Sequence, residues 1–251
     1  MFDARETLVR EKFAAFKYII PVVSGKGGVG KSMISAALSL ALAKQYKTGL
    51  LDLDFWGASA HVLLNVDSKF PEEEHGILPE EVKGVKFMSV AYYTQGKPLP
   101  IRGTEYTDAF LELAAVTRWD DTEYLVIDMP PGMADPFLDI LKYVKNGNFL
   151  VVSTPSKLSI NIVSKTLEIL KEQKVNIFGL IENMRSPEDY SNRIGRLAEK
   201  FNMEYLGYIP YYQNLDTKLD TLDDFISTDF FQKIKEIGSK FRNNFCKKPN
   251  R

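Results

Sequence analysis

Short, continuous apolar runs alternate along the chain with stretches in which apolar residues recur every three or four positions. The runs cover Tyr18–Ser24, Gly49–Leu53, Lys86–Ala91, Tyr124–Asp128, Asn148–Ser153, Asn176–Glu182 and Glu204–Ile209. A run that is apolar at successive positions suits a strand covered on both faces, because side chains alternate between the two sides of a sheet. Between the runs, Ser32–Tyr46, Thr107–Arg118, Asp135–Lys145, Ser159–Gln173 and Ser191–Phe201 carry the helical spacing, with Ser or Asp near several starts. Strand, helix, strand repetition implies right-handed crossovers. The pattern therefore predicts an α/β fold, a doubly wound and mostly parallel sheet with helices on both faces.

Two stretches break the rhythm. Asp67–Lys83 holds Pro71, Pro79 and the acidic run Glu72–Glu74, and it reads as an exposed excursion between elements. Tyr92–Thr104, with Gly96, Pro98, Pro100 and Gly103, cannot be one regular element. No internal repeat or low-complexity linker appears, so residues 1–251 are read as a single domain.

Composition narrows the function classes. The 251 residues carry 32 Lys and Arg against 33 Asp and Glu, a formal net charge of -1. Near-neutrality gives no bulk attraction to nucleic acid or to an anionic membrane surface, and neither is expected as a partner. The single cysteine, Cys246, excludes an intrachain disulfide and any all-cysteine cluster site within one chain. The first 17 residues are interrupted by Asp3, Arg5, Glu6, Arg10, Glu11 and Lys12, unlike a signal peptide, and no apolar stretch reaches the ~20 residues that span a bilayer. A cytoplasmic location is the expectation. His61 and His75 stand apart without cysteine neighbours and do not suggest a zinc site.

The most specific signal follows the first apolar run. Gly25-Lys26-Gly27-Gly28-Val29-Gly30-Lys31-Ser32 satisfies G-x-x-x-x-G-K-[ST] between a strand and a helix that opens at Met33. Glycines let backbone N–H groups close on phosphate oxygens, and the helix adds the positive end of its dipole. Gly25 to Met33 is thus the phosphate-binding segment, with Lys31 on the β and γ phosphates and the Ser32 hydroxyl on Mg²⁺. Leu51-Asp52-Leu53-Asp54 ends the next strand with two carboxylates on one face, at the edge where ligands bind such sheets. Leu125-Val126-Ile127-Asp128 delivers a further acid beside the metal, and Pro130-Pro131-Gly132 then forces a rigid turn. Ile181-Glu182-Asn183-Met184 lacks the acid of a guanine-reading Asn-Lys-x-Asp box, which favours ATP over GTP. A strand-end asparagine such as Asn183 is also a good cap for a turn or for the helix that begins near Ser191.

Lys26, directly after the first glycine, is not required by an ordinary phosphate loop. With it, GKGGVGKS resembles the deviant Walker A loop of the MinD, ParA, nitrogenase iron protein and Mrp group. The further segments LLDLDFWGAS, PLPIRG, LVIDMPPGMAD, VVSTPSKLS, IENM and LGYIPY, in matching order over roughly residues 18–212, resemble Mrp/ApbC proteins. The resemblance implies a cytoplasmic, homodimeric, slowly hydrolysing MgATPase linked to iron-sulfur cluster assembly or carriage. It implies that Lys26 acts across the dimer with Lys31 and Asp54 at the reacting phosphate. Asp54 would orient the attacking water, Asp52 would lie near the magnesium shell held by Ser32 and Asp128, and Asn183, Pro210 and Tyr211 would border the adenine. Many such proteins follow the ENM segment with C-x-x-C, two thiolates per subunit for a bridging cluster. Here Arg185-Ser186-Pro187-Glu188-Asp189-Tyr190 follows instead, so no cluster of its own is expected, and the partner would be a client or apo-protein.

Two other outputs fit the same loop. Phe230, Ile234, Ile237, Phe241 and Phe245 form an apolar stripe flanked by Lys233, Lys240, Arg242, Lys247 and Lys248, over a helix expected at about 229–245. Such a helix either docks on its own domain or lies on a membrane, as in a MinD- or ParA-like spatial organiser. A nucleotide-gated scaffold without turnover is the third class.

Overall fold

The computed structural model describes residues 3–55, 57–67, 71–94, 105–189, 191–215, 217 and 219–245. Eight strands form one sheet: β1 (Tyr18–Ser24), β2 (Thr48–Asp52), β3 (Glu80–Val82), β4 (Val85–Ser89), β5 (Tyr124–Asp128), β6 (Asn148–Ser153), β7 (Asn176–Arg185) and β8 (Tyr205–Pro210). Their order is β3-β4-β2-β5-β1-β6-β7-β8, and every neighbouring pair is parallel except β3 with β4. Ile20, Val22 and Val23 of β1 and Leu125, Val126 and Ile127 of β5 are fully buried, as strands covered on both faces must be. The register sets Asp52 of β2 beside Asp128 of β5, and Val22 of β1 beside Asp128 on the other side. Two carboxylates therefore end adjacent strands at the same level.

The helices are α1 (Ala4–Ala15), α2 (Lys31–Ala43), α3 (Ala60–Leu63), α4 (Ala91–Thr94), α5 (Glu105–Val116), α6 (Asp135–Val144), α7 (Lys157–Glu172), α8 (Arg193–Phe201), α9 (Leu222–Ser227) and α10 (Asp229–Phe245). The chain crosses from β1 to β2 in one direction along the sheet, but from β4 to β5 and onward to β8 in the other. Right-handed crossovers in opposite directions put their helices on opposite faces. Accordingly α2 carries α10 on one face, while α1, α5 and α6 pack together on the other. The direction reverses at β1, and the crevice beyond its C-terminal end is where such sheets bind ligands.

The predicted doubly wound sheet is present, and differences lie at its margins. The stretch 67–83, expected to be an exposed excursion, contributes β3, which pairs antiparallel with β4. Lys83 (φ 50°) and Gly84 (φ 81°) make the two-residue turn between them, both in the left-handed region that such a hairpin needs. Ile77 of the same stretch is buried and bridges to Thr117. Ala91–Thr94 is a short helix rather than irregular chain, and residues 95–104, including Pro98–Gly103, lie outside the described residues. The N-terminal segment, read only for its charges, is a helix capped by Asp3, whose carboxylate accepts the Arg5 N–H.

Of the two dispositions left open for α10, the structure has docking: Phe230, Phe231, Ile234 and Ile237 are buried, and the helix lies on α2 and β8. Among the described residues no helix is long and apolar enough to cross a membrane. Ile234→Ala should lower the unfolding free energy in urea by about 3 kcal/mol, as for other buried aliphatic truncations. A helix that swings free for a membrane would show almost no change.

Candidate nucleotide site

The loop after β1 is shaped by its glycines. Gly28 (φ 73°) and Gly30 (φ 83°) lie in the left-handed region, and a Cβ on Gly30 would stand 2.3 Å from the Asn183 Nδ2. The Ser24 hydroxyl donates to the Lys26 carbonyl at 2.9 Å, fixing the start of the loop. α2 begins at Lys31, so Ser32 and Met33 sit in its first turn, half-buried. Free N–H groups of that turn face the crevice, where an anion is stabilised. Lys26 is half-buried and has no ion-pair partner among the described residues.

Behind the loop lies a buried charge cluster. The Lys31 ammonium, with a side chain 6% exposed, is 2.6 Å from Asp128 Oδ1 and 3.7 Å from Asp54 Oδ2. The Ser35 hydroxyl, one helical turn after Lys31, is 3.0 Å from the Lys31 carbonyl and 3.2 Å from Asp128 Oδ1. Asp52 uses both oxygens: Oδ1 accepts the Asp54 N–H and Oδ2 accepts the Ser89 hydroxyl, each at 3.1 Å. Asp54 Oδ1 accepts the Gly57 N–H at 3.1 Å. Asp128 Oδ2 is buried without a hydrogen-bond partner.

Three carboxylates thus surround one lysine. Burial, followed by the neighbouring Asp128 charge, pushes the Asp52 acid up to about 7. Burial opposes the Lys31 charge, but Asp128, Asp54 and Asp52 outweigh it and hold the ammonium above its ordinary range. The cluster is therefore rich in negative charge and complete on its protein side except at Asp128 Oδ2.

At the end of β7, Asn183 is buried and its Nδ2 donates to the Val29 carbonyl at 2.8 Å, across 154 residues of chain. Its Oδ1 is buried without a partner. Asn183 does not cap a helix; the N-cap of α8 is Asn192. Met184 is in the left-handed region (φ 57°) and Tyr211 is exposed at the neighbouring strand end beside Pro210. Arg185 fastens this corner: it stacks on Tyr208 at 4.5 Å, donates from Nε to the Asp189 carbonyl at 2.9 Å and lies 3.7 Å from Glu182. The Tyr205 hydroxyl donates to Glu182 at 2.7 Å. The structure thus brings Lys31, Asp52, Asp54 and Asp128 together and sets Asn183 against the loop. Ser35, Ser89 and the Glu182–Tyr205–Arg185 group were not foreseen. Ser35 was accessible, since four residues after Lys31 is the same helix face; the other two depend on strand register.

The family described as ParA, NUBPL iron-transfer P-loop NTPase, matches residues 15–245. The chain belongs to this family. It is 34% identical over 196 residues to an iron-sulfur cluster carrier protein of Rickettsia felis, a match covering 77% of this chain and 61% of the relative. It therefore spans less than two thirds of that carrier's length. A cytosolic Fe-S cluster assembly factor, Nubp2 homolog 2 of Drosophila yakuba, is 35% identical over 67% of this chain and 68% of its own. Among solved structures, a nucleotide-binding protein from Archaeoglobus fulgidus in complex with ADP superposes with a TM-score of 0.69 at 27% identity, covering 93% of this chain and 91% of that one. The cell division ATPase MinD of Pyrococcus furiosus shares the fold, with a TM-score of 0.67 at 20% identity over 91% of this chain and all of that one.

A carboxyl group that is harder to ionise in the fold than in the open chain retains its proton where the unfolded chain has released it. Stability then falls as pH rises between about 4 and about 7, and is level above. In nucleotide-free protein, urea titrations across pH 4 to 8 should give a shallower fall for Asp52→Asn than for wild type. Parallel curves would remove Asp52 as the source.

Proposed function

We propose that the chain, read as one P-loop domain, binds MgATP and hydrolyses it slowly as a cytoplasmic homodimer that serves iron-sulfur cluster assembly without a stoichiometric cluster of its own. The observation that carries the reading is the Lys31, Asp54 and Asp128 cluster directly behind a phosphate loop. An ADP complex in the Archaeoglobus fulgidus relative supports nucleotide as the ligand, and the names of the curated relatives support the cluster-assembly context.

The residues present fit a magnesium ion. Asp128 Oδ2 lacks a hydrogen-bond partner among the described residues, Ser32 is half-buried in the first turn of α2, and the surplus of carboxylate over lysine charge favours a divalent cation. Among the described residues no group of three or more His, Cys, Asp or Glu could hold a metal alone, in keeping with an ion that takes most of its ligands from phosphate and water. Ser32 and Asp128 would hold it, with Asp52 behind them. When bound, magnesium neutralises charge on the phosphate oxygens.

The chain's own groups do the rest. Backbone N–H groups of residues 25–33 cradle the phosphates, and Lys31 exchanges Asp128 for phosphate oxygens of higher charge. Asp54, no longer drawn to Lys31, accepts a hydrogen bond from the attacking water and aligns it. Lys26, unpaired in one subunit, reaches the facing subunit's nucleotide, where a cation stabilises developing charge. Asn183 offers its free Oδ1 toward the adenine amino group between Pro210 and Tyr211.

Two measurements test the reading. Lys31→Ala should abolish nucleotide binding, while Asp54→Ala should retain binding and lose turnover by about 100-fold or more; full hydrolysis in both variants would refute the site. Cys246, outside the described residues, supplies one thiolate per subunit, whereas a [4Fe–4S] cluster takes four. Anaerobic reconstitution with iron and sulfide should therefore leave the dimer without stoichiometric cluster absorption. About four irons per dimer, lost on Cys246→Ser, would overturn that part.

A further inference from the structure

The loop that carries Asp54 leaves β2 through the Leu53 N–H, which donates to the Asp128 carbonyl at 3.0 Å, and the Asp54 N–H, which donates to Asp52 Oδ1 at 3.1 Å. The Phe55 N–H donates to the Leu53 carbonyl at 3.1 Å, and the Gly57 N–H approaches the Asp54 carbonyl and carboxylate at 3.3 and 3.1 Å. These last hydrogen bonds lie within the turn. Beyond Asp54 the loop meets the opposite face through an aromatic contact: the Phe55 ring, 5% exposed, meets the Tyr106 ring edge-on, centroids 5.0 Å apart at 81°. Tyr106 is itself only 4% exposed and sits in the first turn of α5.

That turn is anchored independently. The Thr107 hydroxyl donates to Asp139 of α6 at 2.7 Å, and Asp108 accepts from Arg5 of α1 at 2.7 Å. α6 begins at Asp135, just beyond the Pro130-Pro131-Gly132 turn that follows Asp128. One helical turn therefore touches the Asp54 loop through residue 106 and the element downstream of Asp128 through residue 107. Burial, and then the Asp54 carboxylate, push the Tyr106 phenol up to about 12, so it stays neutral within the field of that carboxylate.

We propose that Tyr106 is a positioning residue: its ring braces Phe55 and so fixes Asp54 beside Lys31, while Thr107 ties the brace to α6, downstream of Asp128. The inference rests on Asp54 acting on the hydrolytic water, as argued above. A core-filling tyrosine would instead support the whole fold evenly and leave the local order of the loop unaffected.

The test uses the full chain and two readouts. In nucleotide-free protein, Tyr106→Leu should speed amide hydrogen exchange at Phe55 and Gly57 by about tenfold or more and leave the β5 amides unchanged. In steady-state ATPase assays it should lower kcat by about tenfold with KM within about twofold, because orientation and not binding is lost. Tyr106→Phe keeps the edge-on ring and should restore both. Unchanged exchange at Phe55 and Gly57, or a KM effect alone, would overturn the proposal. If Tyr106→Leu also exposes β5, the reciprocal Phe55→Leu decides: local loss upholds the brace and uniform loss refutes it. If wild type itself lacks turnover, the ATPase reading fails while the exchange arm still judges the brace.

Discussion

A lysine ammonium and an aspartate carboxylate 2.6 Å apart in the interior, Lys31 with Asp128, constrain most of what surrounds them. Removing two charges from water is costly, and the attraction between them offsets this only when geometry and further hydrogen bonds are good. Here the geometry is enforced by two elements and a buried hydroxyl. The helix α2 begins at Lys31 because Gly30 adopts a left-handed conformation that turns the chain into it. The strand β5 ends at Asp128, held level with Asp52 by its register with β2. The Ser35 hydroxyl adds a donor near the carboxylate from the next turn of the same helix. A shift of one residue in any of these would leave a charge buried and alone.

The pair also explains why the neighbouring acids behave differently from one another. Asp52 is fully buried, borders Asp128 and has no cation in contact, so a proton is its cheapest neutralisation. Asp54 stands two residues beyond it, close enough to Lys31 to feel it but at 3.7 Å and on a loop. That division, an inner acid on the sheet and an outer one on the loop, follows from their two-residue separation at a strand end.

The fold was legible because its signals are local and redundant: seven apolar runs with helical spacing between them leave little choice of architecture. The phosphate loop was legible because eight consecutive residues carry it. What stayed hidden depends on position in space. β3 escaped because its turn is Lys83-Gly84, without the Asn or Asp that usually marks such a hairpin, and because its acidic exposed face resembles a loop. The N-terminal helix escaped because it buries only Val9 and Phe13, too narrow a stripe for periodicity to reveal. Ser89 and Asp52 meet only through the β2–β4 register. Asn183 and Val29 meet only because β7 ends beside the phosphate loop, a proximity that spacing along the chain does not encode.

The end of β7 is closed by contacts among its own residues and those of β8. Met184 takes a left-handed conformation that a bulky side chain adopts only when its surroundings hold it. Arg185 supplies that hold, stacked on Tyr208 and bonded to the Asp189 carbonyl, while its own carbonyl accepts the Tyr211 N–H. A corner fastened by a guanidinium is closed by hydrogen bonds and ring contact within one subunit. Two residues before Arg185, Asn183 meets the phosphate loop through its Nδ2, which donates to the Val29 carbonyl at 2.8 Å. The order of this corner is therefore supplied by side chains of the chain itself, on β7, on β8 and in the turn that follows β7.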